Sequence, residues 1–386
     1  MKIAIFSDPH LGYSRFEEDS YVQAGRAIES ANEKADLILC AGDIFDVKIP
    51  KLETLKKAVD IFKKAKIPLF MIHGNHERRA KDLVNPVQVL ESISGVTLLH
   101  GRAETFSKNG EKVQVLGIGS VPEEYASTAV RRVMEGFRKE DGALTILMLH
   151  QSIKELMPGG GEEELSLEYL ESLPFDLIVN GHIHETITRL GGRFLIPGST
   201  VITQLKKDEM NPKGYFLYDT KTRKSEFVPI ESRKFFYEVM EFRDVSEMQV
   251  KEALDAKVRE IRGKEPGCII AIKVDGTLKG GLMKSDMRLD DYPDVYIDNR
   301  LNTEDLGAKL EKIRASREEK ISVRDLALRK LKIMTDGKIS FDSTEMFEKL
   351  VQGSDEALEY LERHKKGGEH KESANPQGLP STKKQG

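Results

Sequence analysis

Short apolar runs punctuate the first ~230 residues, and most end in glycine or a polar turn residue. KIAIFS (2–7), DLILCAG (36–42), PLFMIHG (68–74), VQVLGIG (113–119), LTILMLH (144–150), FDLIVNG (175–181), RFLIPG (193–198) and GYFLYD (214–219) are apolar nearly throughout. Continuous runs of this length predict strands buried on both faces. Between them lie stretches with helical spacing. Val22, Ala27, Ile28 and Ala31 mark one apolar face, and Leu55, Val59 and Phe62 mark another within 52–65. Strands alternating with helices predict a layered α/β domain over residues 1–230.

The pattern changes after Pro229. FFYEVMEF (235–242), a helix carrying Val250, Leu254 and Val258, and GCIIAIKV (267–274) predict a small α+β domain over 235–330. It continues through DVYIDN (294–299), and a charged helix at 303–320 closes it or leads out of it. Ser322 is placed to cap a helix over 323–334. Asp342 or Ser343 caps the next, Gly353 stops it, and Ser354 caps a third. The last two predict a helical hairpin with Met346, Phe347, Leu350, Val351, Leu358 and Leu361 on its apolar faces, within a helical segment at 331–364. Residues 365–386 have almost nothing to bury and are expected to be disordered.

Composition narrows the possibilities. A net charge of −4 across 386 residues does not announce a nucleic-acid binder, so any basic surface has to be local. Cys40 and Cys268 both sit in apolar runs and are expected as buried free thiols. No run approaches the ~20 apolar residues that span a bilayer, and the N-terminus lacks a signal-peptide pattern. A cytoplasmic protein is expected.

The candidate chemistry sits at the ends of the strands. KIAIFS ends in Asp8 and His10, DLILCAG in Asp43, PLFMIHG in Asn75 and His76, LTILMLH in His150, and FDLIVNG in His182 and His184. Seven of the nine histidines fall in the first 200 residues, five at these ends, and none lies between His184 and His364. In an open α/β sheet the carboxyl ends share one edge, where sites form. Each motif alone is an ordinary turn; their recurrence at one structural place predicts a metal site.

Asp8, His10, Asp43, Asn75, His150, His182 and His184 exceed the four ligands of a tetrahedral zinc. They suit two ions sharing a carboxylate. By formal charges, two divalent cations against two aspartates and a hydroxide leave about +1, and a phosphodiester carries about −1. A paired-metal clamp stabilises the attacking and departing oxygens of an in-line displacement. His76 is not needed as a ligand beside Asn75, which makes it a candidate general acid or phosphoryl donor. Arg78, Arg79 and Lys81 follow it as a local basic group, the sort that is most often plain solvated surface.

The set DPH, GD, GNHE, LH and GHIH, spanning residues 8 to 184, resembles the calcineurin-like metallophosphoesterase superfamily. Within it, DPHLG, GDIF, HGNHE, LHQS and NGHIH resemble the DNA double-strand-break repair nucleases of the SbcD type, the "meiotic recombination eleven" homologues. The resemblance implies a β-sandwich flanked by helices, with two manganese ions. It gives Asp8, His10 and His184 to one ion, Asn75, His150 and His182 to the other, and has Asp43 bridge. It implies His76 as the catalytic histidine. It also implies a double-strand 3′–5′ exonuclease and single-strand endonuclease, a DNA-capping domain, a homodimer, and an SMC-like coiled-coil ATPase (SbcC type) as partner for the C-terminal helices. Members often carry a histidine three residues after the bridging aspartate. Here Asp46 stands there, and a carboxylate cannot do what an imidazole does beside a phosphate. The alternatives are a phosphodiesterase for cyclic or dinucleotide substrates and a catalytically weak DNA-end-binding subunit.

Overall fold

A computed structural model describes residues 1–80, 82–157, 165–278, 292–303, 323–335, 339 and 341–368. Two compact units result, 1–277 with 282–301, and 278–281 with 302–386.

In the first unit the elements run β1 (Lys2–Phe6), α1 (Glu17–Lys34), β2 (Leu37–Ala41), α2 (Leu52–Phe62), β3 (Leu69–Ile72), α3 (Pro86–Ser94), β4 (Thr97–Leu98), β5 (Arg102–Lys108), β6 (Glu111–Ile118), α4 (Ala126–Gly136), β7 (Ala143–Leu149), α5 (Leu167–Ser172), β8 (Leu177–Asn180), β9 (Ile187–Arg189), β10 (Phe194–Ile196), β11 (Gly214–Asp219) and β12 (Lys224–Pro229). They build two six-stranded mixed sheets, ordered β12-β11-β1-β2-β3-β4 and β5-β6-β7-β8-β10-β9.

The apolar runs lack alternation because both faces of each sheet are covered. In β2, Leu37, Leu39 and Ala41 point into a cluster shared with Val113, Val115, Ile146, Met148 and Val179 of the second sheet. Ile38 and Cys40 point the other way, onto Tyr21, Ala24 and Ile28 of α1 and Phe62 of α2. Leu116, Leu147, Leu149 and Ile178 likewise leave the second sheet's outer face to meet Val130 of α4 and Leu170 of α5. The result is a four-layer helix–sheet–sheet–helix stack. The two packed sheets are the β-sandwich flanked by helices that the resemblance implies. One expectation changes. Val22 is 40% exposed, while Tyr21 and Ala24 beside it take the buried face of α1.

A third sheet, β13 (Phe235–Val245), β14 (Ile269–Leu278) and β15 (Val295–Thr303), carries α6 (Glu247–Lys264). Ser246 and Gln249 form a capping box at the start of α6, and Val250, Leu254 and Val258 are buried beneath it, as the helical spacing predicts. Phe235, Ile269 and Ala271 of this sheet join Phe16, Val201 and Ile202 in one apolar cluster. The expected helix at 303–320 lies outside the described residues but for Thr303, which ends β15.

The second unit shows α7 (Val323–Thr335), α8 (Ser343–Gln352) and α9 (Ser354–Gly368). Asp342 caps α8, accepting from Thr344 N at 2.7 Å and Glu345 N at 3.2 Å. Helices α8 and α9 pair as the expected hairpin, and α7 also packs on α8. Ala357 and Tyr360 are buried, whereas Phe347, Leu350, Val351 and Leu358 remain exposed. Helix α9 continues to Gly368, past the expected start of a disordered tail, and 369–386 lie outside the described residues. Cys40 and Cys268 are buried free thiols. No described helix is long and apolar enough to cross a membrane.

Candidate metal centre

Strands β1, β2 and β3 are parallel neighbours in the first sheet, and β7 and β8 are parallel neighbours in the second. Asp8 and His10 follow β1, Asp43 follows β2, and Asn75 and His76 follow β3. His150 follows β7, and His182 and His184 follow β8. The site is therefore closed by two sheet ends meeting across the sandwich. Small residues make that approach possible. A methyl group on Gly42, which has φ +94°, would strike the His150 ring, and one on Gly74 would overlap the Asp43 carboxylate.

The backbone at these turns is unusual. Asp8, His10, Asp43 and His182 all have positive φ, at 52°, 44°, 47° and 74°. Each such residue costs of order 1–3 kcal/mol unless its surroundings hold it. The turns after β1 and β2 do so for each other. Asp8 N donates to Gly42 O at 3.0 Å, His10 N to Asp43 O at 3.1 Å and Leu11 N to Ile44 O at 2.8 Å.

All seven candidate ligands converge. Asp8, His10, Asp43 and His184 offer ligand atoms within 4.8 Å of one another, and so do Asp43, His150 and His182. Asn75 Oδ1 joins the second group, 3.0 Å from His150 Nε2 and 2.9 Å from His182 Nδ1. Asp43 belongs to both groups. Its Oδ2 lies 3.3 Å from His150 Nε2 and 3.9 Å from His10 Nε2. These are the two sets that the sequence resemblance allocates to two ions.

Hydrogen-bond partners settle which imidazole nitrogens face inward. His150 Nδ1 is 2.7 Å from Ala41 O, an acceptor, so Nδ1 carries hydrogen and Nε2 faces the site. Thr203 Oγ1 donates to the Glu209 carboxylate at 2.9 Å, so its contact with His184 Nδ1 at 2.6 Å needs the hydrogen on Nδ1. That leaves His184 Nε2 turned towards His10 Nε2, 3.1 Å away. By the same logic, Ser152 Oγ donates to Glu123 at 2.6 Å and receives from His182 Nε2 at 3.2 Å. His182 Nδ1 then meets the Asn75 carbonyl oxygen lone pair to lone pair. Asp8 Oδ2 is buried without any hydrogen-bond partner. Buried acceptor atoms converging on one point with too few hydrogens to satisfy them fit two divalent cations.

The titration behaviour agrees. Burial and the charged His150 beside it pull His182 down to about 4. Burial and His10 pull His184 down to about 2, so both rings offer lone pairs at neutral pH. Burial pushes Asp8 up to about 6. Burial would raise Asp43 too, but His150, His10 and His76 outweigh it and hold the carboxyl well below the usual range. Burial opposes a proton on His150, yet Asp43 raises that ring to about 10. A cation at Asp43 competes with this proton, since metal binding releases protons from its ligands.

His76 stands at the rim. Its backbone N donates to Asp43 Oδ1 at 2.9 Å, and its Nδ1 donates to Asp46 O at 2.6 Å. The ring is thereby fixed, with Nε2 directed inward, 3.9 Å from Asp43 Oδ2. Asp46 uses its carboxylate differently, placing Oδ1 3.4 Å from His10 Nδ1. Several supporting residues have no role assigned from the sequence. Glu77 is fully buried and accepts from Phe45 N and Gly74 N, tying the Asp43 turn to the Asn75 turn. Glu209 accepts from Thr203 N, Thr203 Oγ1 and Gln204 N, and pairs with Lys213.

Residues 1–186 match the family described as "Calcineurin-like phosphoesterase", which makes this part of the chain a calcineurin-like phosphoesterase domain. Curated relatives named "DNA double-strand break repair protein Mre11" match this chain. The protein of Archaeoglobus fulgidus is 26% identical over 76% of this chain and 70% of its own length. That of Methanococcus maripaludis is 28% identical over 57% of this chain and 63% of its own. That of Saccharolobus solfataricus is 30% identical over 57% of this chain and 60% of its own. In the last two, the match spans less than two thirds of the relative.

The supporting contacts generate a prediction. Thr203→Val keeps the side-chain shape but severs His184 from Glu209. Removal of such an outer partner typically lowers metal affinity ~10–100-fold, read by titrating manganese into metal-free protein. An affinity equal to wild type would show that the Thr203 contact does not orient His184.

Proposed function

We infer that this chain, whose first 186 residues form a calcineurin-like phosphoesterase domain, is a two-metal DNA nuclease of double-strand-break repair. The observation that carries this is the pair of buried ligand clusters sharing Asp43. The relatives, which are DNA double-strand break repair proteins by name, supply the DNA and the repair context.

Asp8, His10, Asp43 and His184 would hold one ion, and Asp43, Asn75, His150 and His182 the other. Two bound divalent ions, with manganese the expected metal, supply Lewis acidity to a phosphodiester and lower the pKa of water. The chain's own residues do the rest. Ser152 and Thr203 keep His182 and His184 in the tautomers that turn a lone pair inward. Asp46 holds His76 by its carbonyl, so only Nε2 of that ring is free to exchange a proton. With its side chain 36% exposed, His76 reaches both the site and solvent. That is the placement required of a group that donates to the phosphoryl or departing oxygen.

The remaining parts of the proposal concern assembly. The third sheet with α6, over ~235–303, serves as a DNA-capping domain. In the second unit, the exposed Phe347, Leu350, Val351 and Leu358 lie on helices of 10 and 15 residues, too short to be stable alone in water. An SMC-like coiled-coil ATPase is the proposed partner for that apolar face, bound in the helix-in-groove manner. The active form is proposed as a homodimer. A small-diester phosphodiesterase has the same metal centre; the repair names of the relatives favour DNA.

His76→Asn is expected to lower manganese-dependent DNA hydrolysis about 10²-fold or more, with metal content unchanged. Full cleavage by this variant would remove the role of His76. Separately, deletion of 340–386 is expected to abolish pull-down of an SMC-like ATPase. Retention of the ATPase by the truncated chain would place the partner surface elsewhere.

A further inference from the structure

Beside the metal centre lies a second cavity that the proposed chemistry leaves unused. It has a volume of about 340 Å³, with His73, Arg78, Leu83, Leu98, His100 and Val121 among its walls. The cleft containing Asn75, His150 and His182 has a volume of about 470 Å³. The two share Arg78, Ser120, Val121 and Pro122 as a common wall. A strand whose phosphate sits at the metal centre therefore has a neighbouring hollow within reach of its next nucleotide.

We propose that this cavity is a subsite for one nucleotide unit adjoining the phosphodiester that is cut. The proposal rests on the phosphodiesterase reading of the metal centre and adds where the substrate's neighbouring unit is held. Four features fit it. First, the volume is at the small end of the ~300–1,000 Å³ typical of small-molecule sites, which accommodates one nucleotide rather than a base pair. Second, Leu83, Leu98 and Val121 offer apolar faces for a base. Third, two imidazoles line it as a pair, with ring centroids 4.6 Å apart. His73 Nδ1 faces Gly74 O at 3.2 Å and so carries hydrogen, while its Nε2 end packs against Gly119. His100 Nδ1 accepts from Gly119 N at 3.2 Å, which leaves Nε2–H as a donor. An imidazole N–H beside an apolar wall suits the edge of a base.

The fourth feature is Arg78. Its backbone N donates to Asn75 O at 3.3 Å, which ties its position to the ligand turn. Among the described residues, no carboxylate pairs with its guanidinium. It stands on the wall between the two hollows, where the phosphate linking one nucleotide to the next would pass. A guanidinium suits that phosphate because its planar fork presents two parallel donors. Arg79 is less available, since it donates to Val84 O at 3.0 Å.

The test uses the full chain in two arms. Leu83 is 52% exposed, so Leu83→Trp adds bulk at the cavity without disturbing the core. In the first arm, kcat/KM for a single-stranded oligonucleotide is divided by that for bis(p-nitrophenyl) phosphate, which has no nucleotide to place. The ratio is expected to fall at least ~10-fold in Leu83→Trp and in Arg78→Ala. In the second arm, deoxyadenosine monophosphate is titrated into protein kept metal-free with EDTA, and Leu83→Trp is expected to weaken its Kd at least ~5-fold. Ratios and Kd equal to wild type would overturn the subsite. If the wild type with manganese hydrolyses neither substrate, the phosphodiesterase reading fails, and the EDTA titration alone still decides whether the cavity takes a nucleotide.

Discussion

The structure depends on an electrostatic deficit. His10 Nε2 faces His184 Nε2 at 3.1 Å, and Asn75 Oδ1 faces His182 Nδ1 at 2.9 Å. Asp8 Oδ2 is buried with no donor at all. Acceptors so arranged repel unless a proton or a metal ion lies between them. Protonation relieves only part of this, because burial holds His182 and His184 well below the range in which imidazoles charge. Divalent cations relieve it fully and bring Lewis acidity with them.

The rest of the fold holds that arrangement in place. Two sheets packed through an apolar interior bring strand ends from both sides of the sandwich to one point, which a single sheet edge does not. Four of the seven ligand positions have backbones in the left-handed region. They are held by hydrogen bonds between neighbouring turns and by the buried Glu77 carboxylate, which accepts from the Asp43 and Asn75 turns alike. Each histidine of the His-x-His pair has its own hydroxyl–carboxylate support, Ser152 with Glu123 and Thr203 with Glu209. The strain at the turns and the outer hydrogen bonds serve one end, which is to fix where lone pairs point.

Much of this was legible in the chain itself. Apolar runs mark strands covered on both faces, and aspartates and histidines at their ends stand out because histidine is scarce elsewhere. The division into two sheets was legible from the family resemblance but not from the apolar pattern itself. A doubly covered strand looks the same whether its second neighbour is a helix or another sheet. Val22 looked buried because apolar character alone does not say which side of a helix meets the core, and Tyr21 supplies the larger surface. Thr203, Ser152, Glu123 and Glu209 escaped notice for a different reason. Serine, threonine and glutamate are common, and their link to the site exists only in three dimensions. Asp46 is a middle case. Its departure from the usual histidine was visible, but its use of a carbonyl to fix His76 and of a carboxylate towards His10 was not.

The most direct test of the central claim is a metal count. After loading with manganese and desalting, elemental analysis is expected to find about two ions per wild-type chain. Asp43→Asn, which weakens the one group common to both sets, is expected to retain less than about one. A wild-type count near zero, or an Asp43→Asn count equal to wild type, would contradict the two-cation account.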